Sequence, residues 1–254
     1  MKLSTAFESR WIHTTTLAGC VLGLLGTVQA MRAEVVVSVF SGVALTENND
    51  LRLRQTGGTD LTFHAVSYQG RDFESPQYYG GRVSYFLPQQ PHWGFGAEFF
   101  HMKMYLNAGE TVHVTGSRAG LPVNDFERID NTIQDFSISH GLNFLTLDAT
   151  YRWLPGHRDG DFLGRFQPYV GAGIGAVIPH VESTVGGVRR EGYQWRGPGV
   201  QGFAGLNFDL LRHLSLFVEY KLTYANLDTL DIPGGSIALI PFTHHFVSGL
   251  SVRF

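Results

Sequence analysis

Chemistry in this chain would rest on a few histidines and one glutamate. His180 and Glu182 stand two residues apart in "VIPHVE", so in an extended chain both side chains leave the same face. An imidazole beside a carboxylate can hold a divalent metal or move a proton. His101, His140 and His244 are the other members of the candidate set. We read His101, His140, His180, Glu182 and His244 as the candidate catalytic groups, and His101, His180 and Glu182 as the candidate metal ligands. The plainer reading weighs equally: histidine is tolerated where a membrane meets water. Ser139 precedes His140 in "FSISHGLN". That pair invites a nucleophile, with Glu182 as orienting acid, but neighbours in a strand point to opposite faces. Lys103, Arg189, Arg190 and Arg196 are candidate contacts for substrate phosphate. "GAGIGA" at 171–176 fits the loose dinucleotide pattern, yet no helix pattern follows it. We read its glycines as room for bulky neighbours such as Phe100. The chain carries no flavin or nicotinamide signature.

These residues must be held by strands. Apolar and polar residues alternate in eight segments, at about 34–44, 77–87, 93–105, 141–154, 166–180, 195–210, 213–227 and 241–254. In the last segment Phe254, Val252, Leu250, Phe246, His244 and Phe242 share one parity. Short connections such as "PQQPH" alternate with longer ones, the first of which runs to about thirty residues. That pattern predicts an all-β fold: an eight-stranded antiparallel transmembrane barrel with short periplasmic turns, long extracellular loops and both ends periplasmic. A soluble barrel of lipocalin type is the alternative, with its apolar face turned inward. By parity, His101, His180, Glu182 and His244 continue the lipid-facing rows. His140 continues a lumen row, so only a bulge or a loop would bring it to the others. Arg82, Glu98, Asp148, Arg152, Glu219, Lys221 and Arg253 fall on the inward parity and predict ion pairs filling the lumen.

The bulk numbers agree with that class. The chain has 254 residues, 16% of them charged and 13% aromatic, and a net charge of −3. No basic stripe is present, so nucleic acid is excluded as a partner. Mean hydropathy is −0.03, as expected where lipid-facing residues are diluted by polar lumen residues. Residues 1–30 read as a signal peptide: Lys2 and Arg10, then "LAGCVLGLLG", then "VQA". Residues 31–254 would form the barrel. Cleavage near Ala30 removes Cys20, the lone cysteine, and with it any disulfide.

Several stretches carry a family resemblance: "GTDLTFHAVSY", "FESPQYYGGRVSYF", "HWGFGAEFFHMKMY", "HGLNFLTLDATYRW", "QPYVGAGIGAVIPHVES" and "FVEYKLTYANLD". From about 60 to 254 the chain resembles the outer-membrane lipid A oxidase family of α-proteobacterial type. The resemblance implies O2-dependent oxidation of the proximal glucosamine of lipid A to 2-aminogluconate, with dependence on a divalent cation. It assigns no catalytic residue. The expected partner is lipid A, or lipopolysaccharide, met by a monomer in the outer membrane of a Gram-negative bacterium. Two alternatives stay open. One is a lipid A deacylase using Ser139, His140 and Glu182. The other is a non-enzymatic OmpA-like barrel with a structural or adhesive role.

Overall fold

A computed structural model describes residues 33–154 and 162–254. The signal segment lies outside the described residues. In chain order the strands are β1 (Glu34–Thr46), β2 (Asn49–Gln55), β3 (Thr59–Val66), β4 (Tyr68–Gln69), β5 (Tyr79–Leu87) and β6 (Gln90–Leu106). Next come β7 (Thr111–Arg118), β8 (Leu121–Arg128), β9 (Ile133–Arg152), β10 (Phe166–Val185) and β11 (Val188–Tyr193). The last are β12 (Arg196–Leu211), β13 (Leu214–Ala225), β14 (Leu227–Ile232), β15 (Gly235–Leu239) and β16 (Phe242–Arg253).

Eight of them close a barrel. β1, β5, β6, β9, β10, β12, β13 and β16 pair in that order, each antiparallel to the next, and β16 returns to β1 from Val36↔Arg253 to Thr46↔Thr243. Closure leaves no unpaired edge in the membrane, which lipid would penalise. Every barrel strand turns large apolar residues outward. Val39, Val83, Phe95, Leu147, Ile174, Val200, Val218 and Leu250 are all exposed, one per strand. Inside are Phe40, Phe100, Phe144, Phe203 and Phe217 around a charged layer. Arg82 donates to Glu219 at 2.9 Å through both terminal nitrogens and also pairs with Glu98. Lys221 bonds Glu98 as well. Toward the periplasmic end, Arg152 and Arg253 share Glu34, at 2.6 and 2.7 Å. Asp148 takes a hydrogen bond from Gln201 at 2.8 Å rather than joining an ion pair. The lumen is thus plugged by side chains, as the inward parity predicts. An apolar exterior on a closed, plugged antiparallel barrel is the build of a Gram-negative outer-membrane protein.

Two features differ from the sequence expectation. The glycines of β10 do not make room for Phe100: a Cβ on Gly171 would lie 2.3 Å from the Phe203 ring, while one on Gly173 would meet the Asp148 carboxylate and one on Gly175 the backbone of Leu145. The long connections, expected as extracellular loops, also carry a sheet of their own. β14, β15, β2, β3, β7 and β8 form a second antiparallel sheet beyond the barrel mouth. Its buried side carries Leu51, Leu53, Leu61, Phe63, Val114, Leu230 and Ile237, continuous with the barrel core.

Candidate functional site

β9 and β10 are each 20 residues long, about twice what a tilted strand needs to cross a bilayer. Their upper halves stand above the lipid band and carry the candidate residues. The decisive local feature is a bulge in β9. From Met102 to Met104 of β6 is two steps, while the paired stretch of β9, Leu142 to Ile138, takes four. Against β10 the same two extra residues appear, between Pro179↔Leu142 and Glu182↔Ser137. The slack is taken up at Gly141, whose φ of 109° suits glycine and no other residue.

The bulge breaks the alternation that would separate Ser139 from His140. Ser139 Oγ lies 2.9 Å from His140 Nδ1. Both reach β10, where Ser139 donates to Glu182 Oε1 and His140 Nδ1 stands 3.0 Å from the same oxygen. His180 presents Nδ1 at 3.7 Å from it. The imidazoles of His140 and His180 meet edge to face with centroids 4.9 Å apart. One ligand atom from each of His140, His180 and Glu182 falls within 4.8 Å of the others, the one such group of three among the described residues. His140 is 60% exposed and Glu182 13%. Arg189 holds the other carboxylate oxygen, Oε2, at 3.0 Å, and also Glu191 at 2.8 Å. It arrives by the tight β10–β11 hairpin, turned by Gly186 and Gly187, both at positive φ. Burial works against the Glu182 charge, but the hydrogen bonds from Ser139 and His140, helped by the charges of His140 and Arg189, hold its carboxyl below the usual range.

The three side chains that converge are not the trio expected from the sequence. His140 takes the place of His101, because the bulge swings it onto the outward face. His101 has the expected outward parity but lies against Gly141, where a Cβ would sit 2.3 Å from its Nδ1. Its Nδ1 bonds Asn143 at 3.0 Å and its ring stacks on Tyr79 at 5.0 Å. His244 is elsewhere on the rim, bonded to Tyr220 at 2.6 Å and Glu47 at 2.9 Å. Of the four basic candidates only Arg189 touches the cluster. Lys103 is buried and donates to the Glu74 carbonyl at 2.9 Å. Arg190 pairs across from the buried Ser183, so it leaves the other face of the hairpin. Arg196 is tied to Asp231 at 3.1 Å, linking β12 to β14. Glu191 and Tyr193 at the site were not foreseen; "GGVRREGY" carries the turn and the alternation that would have placed them.

The donor set decides what the cluster can do. Two imidazoles and one carboxylate, with both Nδ1 atoms facing one oxygen, fit a divalent cation. A serine-hydrolase relay fits less well. There the imidazole must use one nitrogen on serine and the other on the acid, whereas here His140 offers Nδ1 to both.

No family model matches the chain, and no curated protein sequence does. Solved structures do match. Neisserial surface protein A is 12% identical over 87% of this chain and 97% of its own, with a TM-score of 0.42. OprG from Pseudomonas aeruginosa is 13% identical over 88% of this chain and 97% of its own, with a TM-score of 0.43. The outer-membrane protease OmpT from Escherichia coli is 8% identical over 90% of this chain and 99% of its own, with a TM-score of 0.41.

Proposed function

We propose that this outer-membrane barrel is an enzyme acting on lipid A, and that it oxidises the proximal glucosamine to 2-aminogluconate with O2. The observation that carries the reading is the convergence of His140, His180 and Glu182 on the outward face, just above the lipid band. A lipid of the outer leaflet presents its sugars at that height. The family resemblance in the sequence points to the same reaction.

The chemistry balances with groups of known class. Carbon 1 of a free glucosamine hemiacetal loses its C–H hydrogen and its hydroxyl proton, giving the lactone, while O2 takes both electrons and both protons to become H2O2. Water then opens the lactone to the acid, for a net gain of one oxygen atom. A divalent ion bound by His140, His180 and Glu182 would supply the means to activate dioxygen, since two histidines and one carboxylate are the donors of non-haem iron oxygenases. The remaining roles belong to the chain. Ser139 and Arg189 fix the two oxygens of Glu182 from opposite sides. The exposed ring of His140 borders the path of an incoming headgroup. The mature chain contains no cysteine to compete for the ion, if cleavage falls near Ala30.

The deacylase alternative is weakened by the single His140 nitrogen serving both Ser139 and Glu182. The deciding measurement is mass spectrometry of lipid A from cells with and without the chain. Oxidation adds one oxygen atom, deacylation removes an acyl chain, and a structural barrel leaves lipid A unchanged.

A further inference from the structure

β11 ends the row of paired strands and is bonded only to β10. Register sets its outward residues beside the cluster: Tyr193 opposite His180, Glu191 opposite Glu182, Arg189 opposite Thr184. The Tyr193 ring stands edge to face on His180 with centroids 4.6 Å apart. That contact orients the ring, and the residue is 65% exposed, so most of its surface is open to a ligand. Two positions further on, Trp195 shares its parity and is 68% exposed. The backbone here is anchored, because the Gln194 N–H donates to the Pro179 carbonyl at 2.9 Å. Register therefore puts Trp195 one step nearer the membrane than Tyr193 on the same wall of the barrel.

Aromatic residues are common at barrel rims as interfacial girdles. The inner rim has one of that kind: Trp93, Tyr151 and Trp153 pack ring on ring at 5.1 and 5.0 Å. The outer pair is arranged differently. Tyr193 is packed on a candidate ligand, His180, and a carboxylate follows it on the same face at Glu191.

We propose that Tyr193 and Trp195 seat an acylated aminosugar, so that the sugar is presented to the His140–His180–Glu182 cluster. The inference rests on the lipid A reading above and names how the substrate is recognised. A pyranose has one face of C–H groups, which packs on an aromatic ring. Its hydroxyl and amide N–H groups need acceptors nearby, and Glu191 is one. Its acyl chains must leave toward hydrocarbon, and Trp195, amphipathic and at the interface, marks that boundary.

The test uses the mature chain folded in detergent, with two probes: lipid A and phosphatidylglycerol. Retention of each lipid is measured by native mass spectrometry for the parent, Tyr193→Ala, Tyr193→Phe and Trp195→Ala. We expect Tyr193→Ala to weaken lipid A binding about tenfold, in line with the contribution of one aromatic contact, and to leave phosphatidylglycerol unchanged. Tyr193→Phe should stay within about twofold of the parent, since the ring face remains. Trp195→Ala should repeat the selective loss. The proposal falls if Tyr193→Ala binds lipid A like the parent, or if both lipids weaken together, which would mark an ordinary girdle. If the binding difference holds but the parent never converts lipid A, the oxidase reading fails and the sugar seat stands.

Discussion

Replacing Glu182 with glutamine keeps the shape of the side chain and removes its charge. Four groups lose an anionic partner: Ser139, His140 and His180 at one oxygen, Arg189 at the other. Two of the partners are well exposed, His140 at 60% and Arg189 at 64%. Each such pair contributes at most about 1 kcal/mol, and the barrel below is untouched. The variant should therefore fold, insert and resist heat as the parent does. Function should fall much further. If the carboxylate holds a cation or transfers a proton, its loss should slow lipid A conversion on the order of a hundredfold or more, about 2.7 kcal/mol of barrier. Mn2+ binding to the detergent-folded protein, read by electron paramagnetic resonance, should weaken in parallel. The pH dependence has a definite sign. Because the folded carboxyl titrates below its usual range, its favourable contacts are complete above that range and are lost as pH falls through the depressed value. The reasoning is refuted if folded Glu182→Gln converts lipid A within about threefold of the parent, a difference of less than 1 kcal/mol.

Other outcomes follow from the same coordinates. Arg82→Ala leaves Glu219 and Glu98 buried with a lost partner, and should destabilise the barrel by about 3–5 kcal/mol in urea unfolding from detergent. Gly141→Val forces a side chain into a backbone at φ 109° and toward His101; at about 1–3 kcal/mol it should abolish conversion and Mn2+ binding while the heat-modifiable barrel survives on a gel. Deleting Phe254 removes two backbone bonds to Val35, at 2.9 and 3.3 Å, as well as the last exposed apolar residue of the closing strand, so outer-membrane yield should fall more than the melting temperature of the fraction that assembles.

Period-two alternation made the barrel legible. Leu214, Leu216 and Val218 face out while Glu219 and Lys221 face in, and the last strand, 242–253, lies within the alternating segment 241–254. The extracellular sheet was legible in principle. Leu51 and Leu53, then Leu61 and Phe63, alternate about Gly57 and Gly58, both at positive φ, which is a hairpin pattern. Its solvent side bears Arg52, Arg54 and Asp60, so the segment reads by composition as an ordinary polar loop. The cluster was half legible. Spacing puts His180 and Glu182 on one face without any structure. The recruitment of His140 requires the bulge, and a bulge is a property of register against two neighbouring strands, not of one segment. Parity placed His101 correctly on the outward side, but only the register shows it covered and bonded to Asn143.

The site lies outside the barrel for a physical reason. Eight strands enclose a space that side chains fill, and here Phe100 and Phe144 stack at 4.8 Å above the Arg82–Glu98–Glu219–Lys221 layer. Nothing the size of a sugar enters such a lumen. In the lipid band the exterior is no better, because unpaired backbone and isolated charges are costly in hydrocarbon. The upper halves of β9 and β10 escape both limits. They are stiffened by pairing, yet they stand where water or headgroups can satisfy displaced backbone groups. A two-residue bulge is tolerable there and would be costly one turn of pleat lower, against lipid. The same bulge gathers Ser139 and His140 onto Glu182. The length of the strands beyond the membrane and the irregularity within that extra length are thus one device, and shortening β9 by the two bulged residues should leave a closed barrel with no cation-binding group on its rim.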